Sequence, residues 1–189
     1  MFNIDAEFIE QLKDDGYDLR TIAHWEAWLR QLPRKAAAVQ QIHDAFDNVK
    51  LGEGIGLHEA NGMDDYATDG ELLRLRKLDE RDDWRKLDAE LLSQYHATPW
   101  FFDSCGFVFH LPAFLLAELN DEYEYGFIDR IIEKYPPSGS WIDLLTPQQA
   151  GALVLVLSLV KQHPDYYHDV KKFDRAIDRF NRIATANAR

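Results

Sequence analysis

Four carboxylates crowd the segment Asp79-Glu80-Arg81-Asp82-Asp83-Trp84, and Glu59 and Asp64 precede it on the far side of a short linker. Paired carboxylates can divide acid and base roles when burial drives their proton affinities apart. A small hydrolase in this chain would therefore be built on Glu59, Asp64, Asp79 and Asp83, with Asp103 completing a cleft. His58-Glu59 followed by Asp64-Asp65 is the densest group of metal-ligating side chains, to which Asp79 could add a further oxygen. Arg74, Arg76, Lys77 and Arg81 lie within a turn or two of these acids, however, so ion pairing at a helix end is the commoner outcome. Asp83 directly before the aromatic Trp84 also reads as a helix cap. The candidate binding set is thus Glu59, Asp64, Asp79, Asp83, Trp84 and Asp103, and no residue is assigned a catalytic or metal-binding role.

Gly52-x-Gly54-x-Gly56 invites comparison with a phosphate loop. Such loops need a preceding strand and a following helix start, so that amides face the anion. Here a helix pattern precedes, Glu53 brings negative charge, and the Walker lysine is absent; a glycine-rich helix stop is the better reading. His163 and His168 are separated by Pro164 and miss the i, i+4 spacing of two ligands on one helix face. Cys105, the single cysteine, excludes an intramolecular disulfide and reads as an inert, buried or half-buried thiol. A nucleophilic role would need a base beside it, for which His110 is the nearest in sequence. No serine lies in an activating motif. Trp141 reads as core, and Tyr166-Tyr167 as a candidate interface patch.

These residues must be held by helices. Stripes of apolar residues predict helices over 5–15, from Leu19 to Leu32, and from Pro33 to about Lys50. A helix from Asp69 towards Asp82 would turn Leu72, Leu73, Leu75 and Leu78 inward, and a short one would start at Trp84. Further helices are predicted from Pro112 to Leu119 and over 122–134, the latter stopped by Pro136-Pro137. Thr146-Pro147-Gln148-Gln149 is a strong start signal for a helix to about Gln162, and the last helix covers about 166–185. The exception is Trp100 to His110, where aromatics around Asp103-Ser104-Cys105-Gly106 read as a small antiparallel β-hairpin. The expected class is therefore α+β, predominantly α-helical, with eight or nine helices around one hairpin at about 100–110. The expected organisation is a single domain of residues 1–189. In it a helical extension, 1–33, and a charged last helix, 165–189, pack on a 34–162 core.

Charge narrows the partners. The net charge is −12, concentrated as −6 over residues 53–83 and −6 over 103–133, with +3 over 161–189. Such a balance disfavours nucleic acid and anionic membranes and suits a basic protein partner; the basic tail can also pair with the acidic middle of a second copy. The start of the chain has no secretory signature, and the longest apolar run, Ala150–Val160, is too short to span a bilayer, so a cytoplasmic location is expected. No cofactor is implied.

Four motifs occur in order. They are Ala45-Phe46-x-x-Val49-x-Leu51-Gly52-x-Gly54-Ile55-Gly56-Leu57-x-Glu59-Ala60, then Arg76-x-x-Asp79-Glu80-x-x-Asp83-Trp84, then Phe101-x-Asp103-x-x-Gly106-Phe107-x-Phe109-x-Leu111-Pro112-Ala113-Phe114, and finally Leu145-Thr146-Pro147-x-Gln149. Together, over about residues 42–160, they resemble a family of uncharacterised bacterial proteins defined only as a domain of unknown function. That resemblance implies no activity, ligand or catalytic residue. The functional expectation therefore rests on composition: a non-enzymatic acidic interaction module of the immunity or adaptor kind, ahead of a self-associating structural protein or a carboxylate-based or metal-dependent hydrolase using 52–84.

Overall fold

The computed structural model describes residues 2–133 and 141–186. Among them the chain forms ten α-helices: α1 (Ala6–Asp14), α2 (Leu19–Leu29), α3 (Leu32–Phe46), α4 (Leu57–Asp64), α5 (Asp69–Leu75), α6 (Ala89–Gln94), α7 (Ser104–Leu119), α8 (Phe127–Ile132), α9 (Pro147–Val160) and α10 (Val170–Ala184). Single 3-10 turns occur at Trp84–Lys86, Thr98–Trp100, Trp141–Leu144 and Pro164–Tyr166. The chain divides into two compact units, Met1–Ala45 with Thr146–Arg189, and Phe46–Leu145.

In the first unit, Asp5 and Asp18 accept the first free amides of α1 and α2, which fixes where each helix begins. Ile9 and Leu12 of α1 bury against Ile22 of α2, flanked by Phe8, Trp25 and Leu29. The predicted capping box is present: Thr146 and Gln149 exchange hydrogen bonds at the start of α9. α9 is apolar on nearly all sides and α10 on one stripe, so α9 is the central helix and α10 lies over it through Phe173, Ala176 and Phe180.

In the second unit, α7 replaces the expected hairpin. The segment read as two aromatic strands is a 3-10 turn followed by a sixteen-residue helix, and no strand occurs among the described residues. The period-2 aromatics misled because every residue from Gly106 to Leu119 is buried, so no polar face marks the helical period. Asp103, placed at the expected turn, instead caps the helix by accepting the Gly106 amide at 2.7 Å. Pro112 lies inside α7 rather than at its start; burial of the whole helix overrides the local preference against proline. Phe107 stacks on Trp141 at 4.6 Å and Phe114 on Phe127 at 4.9 Å, so Trp141 is core as expected.

Other boundaries shift. α3 stops at Phe46 rather than Lys50, α4 was not foreseen, and α5 ends at Leu75. Leu73 and Leu78, expected inside, are each 64% exposed: Leu73 lies on the solvent side of α5, and Leu78 lies beyond the end of that helix. α8 begins at Phe127, not 122, and its expected stop at Pro136-Pro137 lies outside the described residues.

Candidate functional site

The loop from Leu51 to Gly56 joins α3 to α4, and three of the six candidate residues, Glu59, Asp79 and Asp103, meet on it. Arg76 donates from Nη2 to the Glu53 carbonyl at 2.8 Å and to the Glu53 carboxylate at 2.9 Å, and from Nη1 to Glu59 at 3.0 Å. Arg81 donates from Nη2 to the carbonyls of Gly52 and Gly54. The loop thus turns three carbonyl oxygens towards two guanidinium groups. A phosphate cradle would require amides there, so this loop is a clamp for arginine and not for an anion.

Two aspartates hold the loop's amide side. Gly56 is the N-cap of α4 and has no side chain to offer, so Asp79 supplies the missing acceptor, taking the His58 amide at 2.7 Å. Asp79 is only 9% exposed, and burial pushes its carboxyl above the usual carboxylate range, opposed by that amide. The approach is so close that a Cβ on Gly56 would stand 2.1 Å from Asp79 Cγ. Asp103 uses a single oxygen, Oδ1, for both the Gly106 amide and the Ile55 amide at 3.1 Å, tying the start of α7 to the loop. A Cβ on Gly106 would stand 2.3 Å from the Ile55 carbonyl oxygen.

Glu59, Asp79 and Asp103 therefore converge, but on amides and arginine. Asp83 and Trp84 belong to the adjoining turn. Asp83 accepts the Arg85 Nε at 2.7 Å, which holds its carboxyl below the usual range, and Trp84 is buried with its indole donating to the Phe46 carbonyl at 2.8 Å. Asp64 is exposed at the end of α4 and joins none of them. Among the described residues, no three His, Cys, Asp or Glu side chains are grouped to hold a metal ion. Cys105, expected to be buried or half-buried, is exposed on the first turn of α7, and His110 bonds elsewhere. Ion pairing of Arg76 with nearby acids was expected from the sequence and is seen with Glu53 and Glu59; that Arg76 and Arg81 also hold backbone carbonyls of the loop, distant along the chain, is something no residue type announces.

His110, the base nearest Cys105 in sequence, makes a different contact. Its Nδ1 lies 2.7 Å from the Gly106 carbonyl; a carbonyl only accepts, so the proton is on Nδ1 and Nε2 carries a lone pair. That Nε2 is buried without a hydrogen-bond partner, and the ring stacks on Phe102 at 4.2 Å. Burial depresses its pKa from 6.5 to about 4; the Gly106 carbonyl and Asp103 oppose this and Arg81 adds to it. The folded state keeps His110 neutral while the unfolded chain protonates below pH 6.5. Stability linked to this ring is therefore present above that pH and is lost between pH 6.5 and about 4. The loss reaches about 3 kcal/mol at most. Asp79 acts with the opposite sign, since a carboxyl raised by burial is relieved as acid protonates it. Urea unfolding from pH 7 to 4 should show a shallower loss in His110→Asn than in the parent chain; equal slopes would remove His110 as the acid-sensitive group.

No helix among the described residues is long and apolar enough to cross a membrane. Neither a curated protein nor a solved structure matches the chain. A family model covers residues 34–181, a span that takes in the glycine loop, both arginines, both loop-holding aspartates and α7. The chain belongs to this family, DUF6714, a family of unknown function.

Proposed function

We propose that this protein is a non-enzymatic interaction module that docks a basic protein surface on the face built by α4, the turn after it and α5. Tyr66 carries this reading. It occupies the left-handed position that closes α4, with φ +58°, its amide on the Met63 carbonyl and the next amide, that of Ala67, on the Gly62 carbonyl. α1 closes in the same way and places glycine there, Gly16 at φ +77°. A non-glycine residue at such a position costs about 1 kcal/mol. Tyr66 is 94% exposed, so packing within the chain does not offset that cost. Strain held without internal compensation points to a role outside the fold.

The surroundings support the same reading. Tyr66 borders an open groove of about 430 Å³ lined by Asn61, Asp65, Glu71, Arg74 and Leu75. Residues 53–83 carry a net charge of −6, which favours encounter with a basic surface. The carboxylates that could have done chemistry, Glu59, Asp79, Asp83 and Asp103, are engaged with amides and arginines.

Tyr66→Gly separates fold from function. It should raise stability in urea by about 0.5–1 kcal/mol, by removing the left-handed strain. Affinity capture from native lysate should then recover a basic protein with the parent chain, in a salt-sensitive manner, and lose it with Tyr66→Gly. A destabilised variant, or capture of the same proteins by both chains, would overturn the proposal.

A further inference from the structure

A second cavity, of about 500 Å³, lies within the unit formed by Met1–Ala45 and Thr146–Arg189. Its volume is that of a small-molecule site. The first turns of α2 bring Arg20, His24 and Trp25 to it, and the turn after α9 brings Asp165, Tyr167 and His168. It shares no residue with the α4–α5 groove and does not depend on the partner proposed there.

The charges in this cavity are of both signs, and two of them pair with no opposite charge. Arg20 donates from Nη2 to the Tyr167 hydroxyl at 2.6 Å and lies over that ring, but makes no ion pair with any carboxylate among the described residues. The Asp165 carboxylate lies nearest to His163 Nδ1, at 3.7 Å. That nitrogen accepts the Asp165 amide, so it carries no proton and offers the carboxylate no charge. The third charge, Asp18, is consumed: it accepts the amides of Arg20 and Thr21 and the Thr21 hydroxyl. What remains is one cation and one anion between flat walls, where the His24 ring stacks on Tyr167 at 5.4 Å and Trp25 lies beside them.

We propose that this cavity binds a free α-amino acid as its zwitterion. The ligand carboxylate would pair with the Arg20 guanidinium, its ammonium with the Asp165 carboxylate, and its side chain would lie on the rings. A simple anion would engage only Arg20 and a simple cation only Asp165, whereas a ligand with both charges pairs with both. The α2 side of the cavity precedes residue 34, where the family match begins.

Calorimetric titration of the full chain with L-phenylalanine, N-acetyl-L-phenylalanine and L-phenylalaninamide tests this, followed by the other standard amino acids. A free amino acid should bind saturably. Its N-acetyl and amide forms, lacking the ammonium and the carboxylate respectively, should bind at least about tenfold more weakly. Asp165→Asn, at an exposed position, should abolish the discrimination against the N-acetyl form. Arg20→Gln should abolish discrimination against the amide. No saturable binding by any standard amino acid, a capped form binding as well as its parent, or discrimination unchanged in both variants would overturn the proposal.

Discussion

Gly56→Ala is expected to destabilise the protein by about 2–4 kcal/mol. The new Cβ would stand 2.1 Å from Asp79 Cγ and 2.2 Å from its Oδ2, separations no packed pair tolerates. Asp79 cannot swing aside cheaply, because it is buried and caps α4 through the His58 amide. The substitution therefore adds an overpacking cost of about 1–3 kcal/mol to the loss of a helix cap worth about 1 kcal/mol. Gly106→Ala should be comparably severe, since its Cβ meets a backbone oxygen, that of Ile55, at 2.3 Å. The same change at Gly70 in α5 or Gly151 in α9 meets nothing within 4 Å and should stabilise by about 0.5–1 kcal/mol. Urea midpoints for the four variants give the answer. If Gly56→Ala falls on the stabilising side with Gly70→Ala, the close approach of loop and aspartate is wrong.

Asp103→Ala should cost about 2–3 kcal/mol, because one oxygen holds two backbone amides in different segments. Removing it uncaps α7, the helix whose buried faces organise its unit, and frees the loop at Ile55. A helix cap alone is worth about 1 kcal/mol and each amide left without an acceptor about 1–3. Asp103→Asn keeps the acceptor and should recover most of the loss. That grading identifies an anchoring role: the loss in Asp103→Ala and its recovery in Asp103→Asn follow from the accepting oxygen alone, whereas a side chain that bore no structural contact would lose little stability as either variant.

Helix starts were legible wherever a short polar side chain met the orphan amides of the next turn. Asp18, Asp83 and Thr146 with Gln149 sit where their chemistry indicated, because capping is a contact within a few residues. The glycine run was recognised as a loop, and the acids around it as ion-paired and capping groups. Its full purpose was not readable. Whether Asp79 serves Trp84's turn or α4 depends on a contact across twenty-one residues, and Arg81's acceptors are main-chain oxygens. Tyr66 passed unnoticed because left-handed backbone at a tyrosine leaves no mark in residue type.

By itself the sequence determined a mainly helical chain, the caps at Asp18, Asp83 and Thr146, its excess of negative charge and the family to which it belongs, since these depend on local propensity, composition and motif order. Tertiary packing decided the rest. It made residues 104–119 a helix and not a hairpin, because a segment buried on every side follows its surroundings and not the alternation of its aromatics. It also spent the clustered carboxylates on holding a loop, because a buried amide or guanidinium takes the nearest oxygen, and only the fold decides which oxygen that is.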